Sequence, residues 1–311
     1  MAQETTQVQE LSTNIIDDIF RSIGFSATSF PRRLLGPLLW PPALRVAKLA
    51  ASFDEYVAQS GICEAARWIL PRFVKDVDAT GAENIPKEGP VLIASNHPGT
   101  YDALAIVSRL VRKDLKLVVS GIPAFRGLAF TRQQLIYATN DSHVRMTVAR
   151  EVIRHLEDGG ALLIFPTGKM DPDPAVLPGS PDALARWSPS LEYVLRKVPQ
   201  TRLVVTIVSG VVAPSCLRNP IARIQKGFKK QQELAEFIQV VQQLFFELRD
   251  TIIPRITFGE PLTAAELTSQ DAPPGSLKAI IENAQRLLAT HTQRPEECSE
   301  SPPSFVGPSL A

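Results

Sequence analysis

The stretch that decides the fold class spans residues 91–102 and reads VLIASNHPGTYD. Its first part, Val91 to Ser95, is almost entirely apolar and lacks the alternation of a strand with one solvated face. This composition predicts a strand covered on both faces of a sheet. Pro98 and Gly99 then break the strand, and Asp102 begins a helical pattern. The stretch therefore predicts a buried strand that turns directly into a helix.

Strand and helix patterns alternate on both sides of this stretch. Such alternation predicts an α/β fold in which a mixed, largely parallel sheet is flanked by helices. The predicted strands cover residues 74–80, 91–95, 115–120, 134–139, 161–165, 202–212 and 255–258, and the predicted helices cover 102–110, 141–157, 190–197, 229–249 and 277–290.

The chain has 311 residues, of which 44% are hydrophobic, and this is enough for one large core. We expect a polar, disordered segment at residues 1–12 and an N-terminal helical region at 13–72. The α/β domain is expected at 73–292. A tail rich in Pro, Ser and Glu, residues 293–311, is expected to be disordered.

The composition excludes several classes of protein. A formal net charge of +1 gives no reason to expect nucleic acid as a partner. The three cysteines, Cys63, Cys216 and Cys298, are too far apart to predict a disulfide framework or a thiolate zinc site. We also expect no secretory signal, and no apolar run reaches the ~20 residues that a spanning helix needs.

The segment 19–50 combines cations with large apolar side chains and contains no acidic residue. Four prolines predict that it is broken into short pieces. Two interpretations stay open. The segment suits contact with an anionic membrane surface, where the apolar groups enter the headgroup boundary and the cations lie near phosphates. It equally suits a helical layer packed on the core.

His97 is the best candidate for a general base. The chain has only four histidines, and histidine is the usual base for a hydroxyl at neutral pH. We expect His143, His155 and His291 to be solvated, since the first two lie on a predicted surface helix and the third near the C-terminus. His97 directly follows a buried strand, at the position where open α/β sheets bind ligands.

Asp102 is the expected partner of His97. A loop containing Pro98 and Gly99 can fold back and bring the carboxylate to the imidazole. The carboxylate would fix the tautomer and stabilise the imidazolium, as in the His–Asp half of a serine triad. Alternatively, Asp102 is only an acid in the first turn of a helix, where it interacts favourably with the helix dipole.

Other catalytic designs fit the sequence poorly. There is no GxSxG, so a nucleophile elbow is not predicted. The pair Gly168-Lys169 lacks the further features of a P-loop, because Leu163 occupies the position of the first glycine and Met170 follows the lysine. Neither HExxH nor a Cys/His cluster predicts a metal site.

Residues 81–102, GAENIPKEGPVLIASNHPGTYD, resemble the opening block of the glycerolipid acyltransferase family, which includes the lysophosphatidate acyltransferases. That block has a Gly-x-Glu-Asn-x-Pro lead-in, an apolar strand and Asn-His-x-x-x-x-Asp. Residues 121–127 are similar to the block that helps to bind the phosphate of the acceptor, and residues 165–169 to a block that usually reads Phe-Pro-Glu-Gly. Residues 256–262 resemble the closing strand and turn.

The resemblance implies an O-acyltransferase in which His97 deprotonates an acceptor hydroxyl and Asp102 orients it. The alkoxide attacks the thioester of acyl-CoA or acyl-carrier protein, which is a co-substrate, and no cofactor or metal is implied. The acceptor is a lysolipid, with lysophosphatidate as the first expectation, or a glycerol phosphate. The enzyme would lie peripherally on the cytoplasmic face of a membrane. The implied substrate-binding residues are Asn96, Thr100, Phe125, Arg126, Arg132, Thr167, Gly168 and Lys169.

Two departures from the family pattern leave the acceptor open. Thr167 stands where the family normally has Glu, and Lys169 is followed by an acidic loop with Asp171 and Asp173. These carboxylates would repel a phosphate unless they point away from it. Glycerol 3-phosphate or another lysolipid is therefore an alternative acceptor. A catalytically silent lipid-binding relative and a thioesterase remain as alternative functions.

Overall fold

The computed structural model of the chain describes residues 2–22, 26, 30–120, 127–138, 142–224, 227–246 and 252–293. Within these residues, seven strands form one sheet in the order β1-β7-β6-β2-β5-β3-β4. Neighbouring strands are parallel except β6 and β7, so the sheet is mixed and largely parallel, as predicted. The strands are β1 (Asp78–Thr80), β2 (Val91–Ser95), β3 (Leu115–Ser120), β4 (Leu135–Ala138), β5 (Ala161–Ile164), β6 (Arg202–Ser209) and β7 (Arg255–Phe258).

Strand β2 is the central strand that the sequence predicts. It pairs in parallel with β5 on one side and with β6 on the other. All five of its residues are buried. Alternate residues enter two different cores: Val91 and Ile93 pack into one face of the sheet, and Leu92 and Ala94 into the other. Both faces are therefore covered, which explains the unbroken hydrophobic run.

Helices lie on both faces of the sheet. In the α/β part, the long helices fall where the sequence predicts them, whereas the short helices α6, α8 and α9 were not predicted. The helices are α1 (Ala2–Ser22), α2 (Phe30–Ser60), α3 (Ile62–Ile69), α4 (Asp102–Ser108), α5 (Ser142–Glu157), α6 (Ser180–Leu184), α7 (Ser190–Lys197), α8 (Pro214–Leu217), α9 (Pro220–Arg223), α10 (Phe228–Phe246) and α11 (Leu277–Gln293).

The expectation that residues 1–12 are disordered does not hold for residues 2–12. These residues form the first half of α1, in which Val8 and Leu11 are 8% and 2% exposed. Both side chains pack in a small core with Ala47 of α2. Polar composition hid this contact, because only one side of the helix is buried. The tail, from residue 294 onward, lies outside the described residues.

The prolines of the N-terminal region do not break it into short pieces. Helix α2 continues through Pro37, Pro41 and Pro42. An internal proline removes one backbone hydrogen bond and crowds the preceding turn. Burial of Ala43 and Ala47 against α1 offsets this cost on one side of the helix.

Helix α2 is also tied to the α/β domain. The buried carboxylate of Asp54 accepts hydrogen bonds from the backbone N–H groups of Phe130 and Thr131, at 3.1 and 2.6 Å. The helix packs against α3 and α10 as well. Among the helices of the described residues, none has the length and apolar character that crossing a bilayer requires.

Candidate active site

The candidate site lies at the carboxyl edge of the parallel strands, around the histidine loop (residues 96–102). The chain leaves β2 at Asn96, leaves β5 at Phe165 and leaves β6 at Gly210. Because β5, β2 and β6 are parallel neighbours, these three exits lie side by side. Residues far apart in sequence therefore meet around His97.

Asn96 fixes the start of the histidine loop. Its side-chain amide donates to the carbonyl oxygen of Val208 and accepts from the N–H of the same residue, both at 2.8 Å. These two hydrogen bonds extend the pairing of β2 with β6 by one residue, through the side chain of Asn96. Asn96 is 3% exposed, so its position gives it a structural role instead of the substrate contact that we expected.

His97 and Asp102 form the predicted pair. Nδ1 of His97 lies 2.8 Å from Oδ2 of Asp102, whose side chain is fully buried, whereas that of His97 is 31% exposed. With Asp102 ionised, Nδ1 carries the proton, so the neutral ring presents Nε2 as an acceptor. No hydrogen-bond partner of Nε2 is found within the described part of the chain. This nitrogen is thus placed to take a proton from a ligand.

The carboxylate of Asp102 also closes the loop. It accepts from the N–H of Gly99 at 3.0 Å and from the N–H of Ala103 at 2.5 Å. These bonds satisfy N–H groups at the start of α4 and hold the loop folded back toward its own helix. The carboxylate therefore contacts the imidazole and is also part of the turn at the start of α4, whereas its role in catalysis stays a prediction.

Phe165 fixes the plane of the imidazole. Its ring stacks on that of His97 with 4.4 Å between centroids and 28° between planes. Phe165 directly follows β5, the neighbour of β2, and its ring covers one face of the histidine. Stacking and the bond to Asp102 together orient the ring.

Asp171 clamps the backbone of His97. Its Oδ2 accepts from the N–H of His97 at 3.0 Å, and its own N–H donates to the carbonyl oxygen of His97 at 2.7 Å. The hydroxyl of Thr167 donates to the same Oδ2 at 3.2 Å. Thr167, at the position where relatives carry Glu, thus supports a carboxylate that comes from four residues later.

The acidic loop after Lys169 does not face the expected phosphate site. Asp171 is 3% and Asp173 is 0% exposed, and burial raises the pKa of each carboxyl. Asp173 accepts from the backbone N–H groups of residues 210–212, at distances of 2.8 to 3.2 Å. Both carboxylates point inward and organise the carboxyl edge, so the repulsion that the sequence suggested does not arise from them.

Helix α10 carries four buried polar side chains, of which all but Gln239 contact the histidine loop; they are here termed the α10 polar row: Gln232, Glu236, Gln239 and Gln243. Their spacing places them on one face of the helix. Gln232 donates to the carbonyl oxygens of Pro98 and Asp171, at 2.7 and 2.8 Å. Glu236 accepts from the N–H of Thr100, and Gln243 accepts from the hydroxyl of Tyr101.

Three carboxylates set the electrostatics of His97. Burial alone would lower the pKa of His97, but Asp102, followed by Glu236 and Asp171, raises it to about 9. Burial raises the pKa of Glu236 to about 7, although its bonds to Thr100 act in the opposite direction. The site is thus built to hold a positively charged imidazole, and the ring loses its proton only as the pH rises toward 9.

The predicted substrate-binding residues are only partly brought together. Thr100 is exposed beside His97, and Thr167, Gly168 and Lys169 form a partly open loop after β5. Gly168 has φ +61°, and a side chain there would meet no atom within 4 Å. Arg132 lies before the amino end of β4, on the far side of β5 and β3, and not beside His97. Phe125 and Arg126 fall outside the described residues.

The expectation that the other histidines are solvated is partly wrong. His291 is 2% exposed and lies between the hydroxyls of Ser209 and Thr257, each 2.8 Å from a ring nitrogen. His155 is partly buried, with Nε2 2.9 Å from the carbonyl oxygen of Ala161. The side chain of His143 falls outside what the structure describes. His97 remains the candidate base because the bonds of His155 and His291 are structural.

Sequence reasoning missed most of the residues that support His97. Asp171, Gln232 and Glu236 contact residues of the histidine loop that are 74 to 136 positions away in sequence. One signal was available: the predicted helix 229–249 carries Gln or Glu at 232, 236, 239 and 243, a helical repeat that is too polar for a purely apolar buried face. No group of metal-binding side chains is found within the described ranges.

Comparison with known proteins agrees with the site. Residues 76–186 match the sequence model of the Acyltransferase family. No curated protein sequence matches the chain significantly. Among solved structures, the 1-acyl-sn-glycerophosphate acyltransferase PlsC from Thermotoga maritima is similar over 93% of this chain and 97% of that chain, with 15% identity and a TM-score of 0.41. We base no argument on a similarity this distant. The match over residues 76–186 agrees with the resemblance seen in residues 81–102: the chain contains an acyltransferase domain.

Proposed function

We propose that this acyltransferase moves a fatty acyl group from acyl-CoA or acyl-carrier protein to a hydroxyl of a glycerolipid, with lysophosphatidate as the acceptor. His97 is the general base and Asp102 orients it. The observation that carries this proposal is the 2.8 Å contact between Nδ1 of His97 and the buried carboxylate of Asp102, with the ring itself 31% exposed. Among the described residues, no side chain bonds to Nε2 of His97, and a His–Asp pair with a free ring nitrogen suits direct transfer to an alcohol.

In the reaction, His97 takes up one proton from the acceptor and later gives it to the leaving group. Nε2 of His97 takes the proton of the acceptor hydroxyl as its oxygen attacks the thioester carbonyl carbon. A C–O bond forms and the C–S bond breaks. The imidazolium, stabilised by Asp102, Glu236 and Asp171, then returns the proton to the leaving thiolate. The products are an ester and a free thiol, and no covalent acyl-enzyme is required.

The acceptor headgroup is assigned to the loop after β5. Lys169 is exposed there, and the open Gly168 lets a ligand approach the backbone. An ammonium beside exposed backbone suits a phosphate group. The resemblance of residues 81–102 to a family that includes the lysophosphatidate acyltransferases motivates the choice of acceptor. Glycerol 3-phosphate presents the same phosphate and is the alternative.

Membrane contact through α2 is part of this proposal. Leu34 and Leu38 are 65% and 75% exposed, and Trp40 is 36% exposed. Arg45 and Lys48 are exposed on the same helix. Large exposed apolar side chains near cations suit the headgroup region of an anionic bilayer, and an acceptor with a long acyl chain resides there.

The test is an acceptor screen with a labelled long-chain acyl donor. The full-length protein is incubated with acyl-CoA or acyl-carrier protein and either lysophosphatidate, other lysolipids or glycerol 3-phosphate. We expect labelled phosphatidate from lysophosphatidate. If labelled ester forms only from glycerol 3-phosphate or another lysolipid, that molecule is the acceptor in place of lysophosphatidate. Free fatty acid without ester would contradict transfer in favour of hydrolysis, and the absence of any product would favour lipid binding alone.

A further inference from the structure

A second exposed apolar surface lies far from α2 in sequence. Ile221, Ile224 and Phe228 are 59%, 76% and 60% exposed. Helix α9 presents the first two because Ala222 is buried and Asn219 caps the turn by accepting from the N–H of Ile221 at 2.9 Å. Side chains that are large, apolar and clustered on a surface mark a contact with a partner.

Cations surround these apolar side chains. Arg218, Arg223, Lys229 and Lys230 are exposed on the same segment. The sequence contains no acidic residue between Glu192 and Glu233. Glu233 lies one helical turn after Lys229 on α10, and its carboxylate is 3.9 Å from Nζ of Lys229. We refer to the following exposed side chains together as the basic–apolar patch: Arg218, Ile221, Arg223, Ile224, Phe228, Lys229 and Lys230.

The basic–apolar patch lies next to the candidate site. The segment leaves the carboxyl end of β6, the neighbour of β2, and α8 and α9 pack against α10. Phe228 precedes Gln232 by four residues, so the two share a helix face at a distance of about 6 Å along the axis. Gln232 binds the carbonyl oxygen of Pro98 in the histidine loop. The exposed patch is therefore one helical turn from a residue that holds the candidate base.

We infer that the basic–apolar patch is a docking surface for an anionic phospholipid bilayer, which seats the mouth of the active site on the membrane. Ile221, Ile224 and Phe228 enter the headgroup boundary, and the cations contact lipid phosphates. The inference rests on the proposed function, since a lipid acceptor must pass between the bilayer and His97. Helix α2, which carries the exposed Leu34 and Leu38, also packs on α10.

A bilayer fits these observations better than an acidic protein such as an acyl-carrier protein. An acidic protein would be attracted by the cations alone. The three large apolar side chains, each more than half exposed, need an apolar medium, and the boundary of the acyl chains provides one.

The test measures binding of the full-length protein to sedimented vesicles of phosphatidylcholine with and without phosphatidylglycerol. We expect the triple variant Ile221→Ser, Ile224→Ser, Phe228→Ser to partition about tenfold more weakly or worse into the anionic vesicles. The variant Arg223→Gln, Lys229→Gln, Lys230→Gln should lose most of the dependence on phosphatidylglycerol and on salt.

A matched pair of single variants controls for general surface hydrophobicity. Ile224→Ser changes a side chain that is 76% exposed in the patch, and Val111→Ser changes one that is 65% exposed after α4, at the opposite edge of the sheet. We expect weaker vesicle binding only for Ile224→Ser. Equal binding of the triple variant and the unaltered protein would overturn the inference. Loss of transfer from acyl-carrier protein alone, with vesicle binding unchanged, would overturn it in favour of a protein partner.

A second measurement does not depend on loss of binding. Phe228→Trp should show fluorescence quenched by brominated lipid in anionic vesicles, beyond the quenching of the unaltered protein. Absence of this extra quenching would also contradict the inference. Short-chain, water-soluble substrates separate the two proposals: the triple variant should convert them at the unaltered rate. If no variant forms ester from any acceptor while patch-dependent binding persists, the proposed function fails and the docking surface is supported.

Discussion

Two loops leave neighbouring strands at the same edge of the sheet, and they are built in opposite ways. The histidine loop after β2 is held by partners: the N–H groups of His97, Gly99 and Thr100 are all bonded to carboxylates. In the loop after β5, residues 167–169 have few contacts. The single hydroxyl proton of Thr167 is shared between the carbonyl oxygen of Lys169 at 2.8 Å and Oδ2 of Asp171 at 3.2 Å, and Gly168 and Lys169 are exposed.

Under the proposed function, this difference separates the loop that carries the general base from the loop that binds the acceptor. A general base must be held within a narrow range of positions, and buried carboxylates with amide side chains provide that rigidity. A loop that receives a headgroup needs open space and a cation instead. The histidine loop should therefore be sensitive to substitutions in remote elements, whereas the loop after β5 should affect mainly acceptor affinity.

The largest expected effect comes from removing the base. His97→Ala should lower kcat/KM by about 10⁴-fold, because no other group takes the hydroxyl proton. The measurement is steady-state transfer to lysophosphatidate, with circular dichroism to check the fold. Substantial transfer by a folded His97→Ala protein would show that the histidine loop does not carry the chemistry.

Asp102→Asn should lower kcat by about 10³-fold, the second-largest effect after His97→Ala. Both carboxylate oxygens accept backbone N–H groups, from Gly99 and Ala103, so an amide NH₂ must face one donor in either orientation. The variant thus loses both the partner of the imidazole and a bond of the loop. Thermal unfolding should shift downward in parallel, and near-normal turnover would mean that Asp102 has only the structural role.

Glu236 tests whether α10 holds the histidine loop. Glu236→Ala leaves the N–H of Thr100 without its acceptor and should lower kcat by about tenfold. Glu236→Gln keeps an acceptor oxygen and removes the charge, so its rate at high pH should stay near normal. Loss of that negative charge lowers the pKa of His97, and the rising part of the pH profile should move to lower pH. Equal behaviour of the two variants would contradict a positioning role.

The smallest effect is expected in the loop after β5. Lys169→Ala should raise the KM for a phosphate acceptor by about three- to tenfold and leave kcat nearly unchanged, because the cation contributes to binding before the reaction. Lys87→Ala provides the matched control, since Lys87 is exposed before β2, at the opposite edge of the sheet. A drop in kcat for Lys169→Ala would mean that the recognition loop also takes part in the chemistry.

The sequence predicts the scaffold and the reacting pair much better than it predicts their supports. Continuous patterns mark β2, and the short spacing of His97 and Asp102 marks their contact, because both are local. Asp171 and Glu236 reach the same loop through tertiary packing, which no local pattern shows. The helix over residues 1–12 was missed for a related reason: only its contact with α2 makes Val8 and Leu11 core residues.

The most direct test of the central claim is the pH dependence of kcat/KM with a soluble short-chain acceptor, after subtraction of spontaneous thioester hydrolysis. Only neutral His97 accepts a proton, and the surrounding carboxylates raise its pKa to about 9. We predict that kcat/KM rises about tenfold per pH unit above about pH 6 and levels off near the pKa of His97. A kcat/KM that is flat or falls over this range would contradict a base held by Asp102, Glu236 and Asp171.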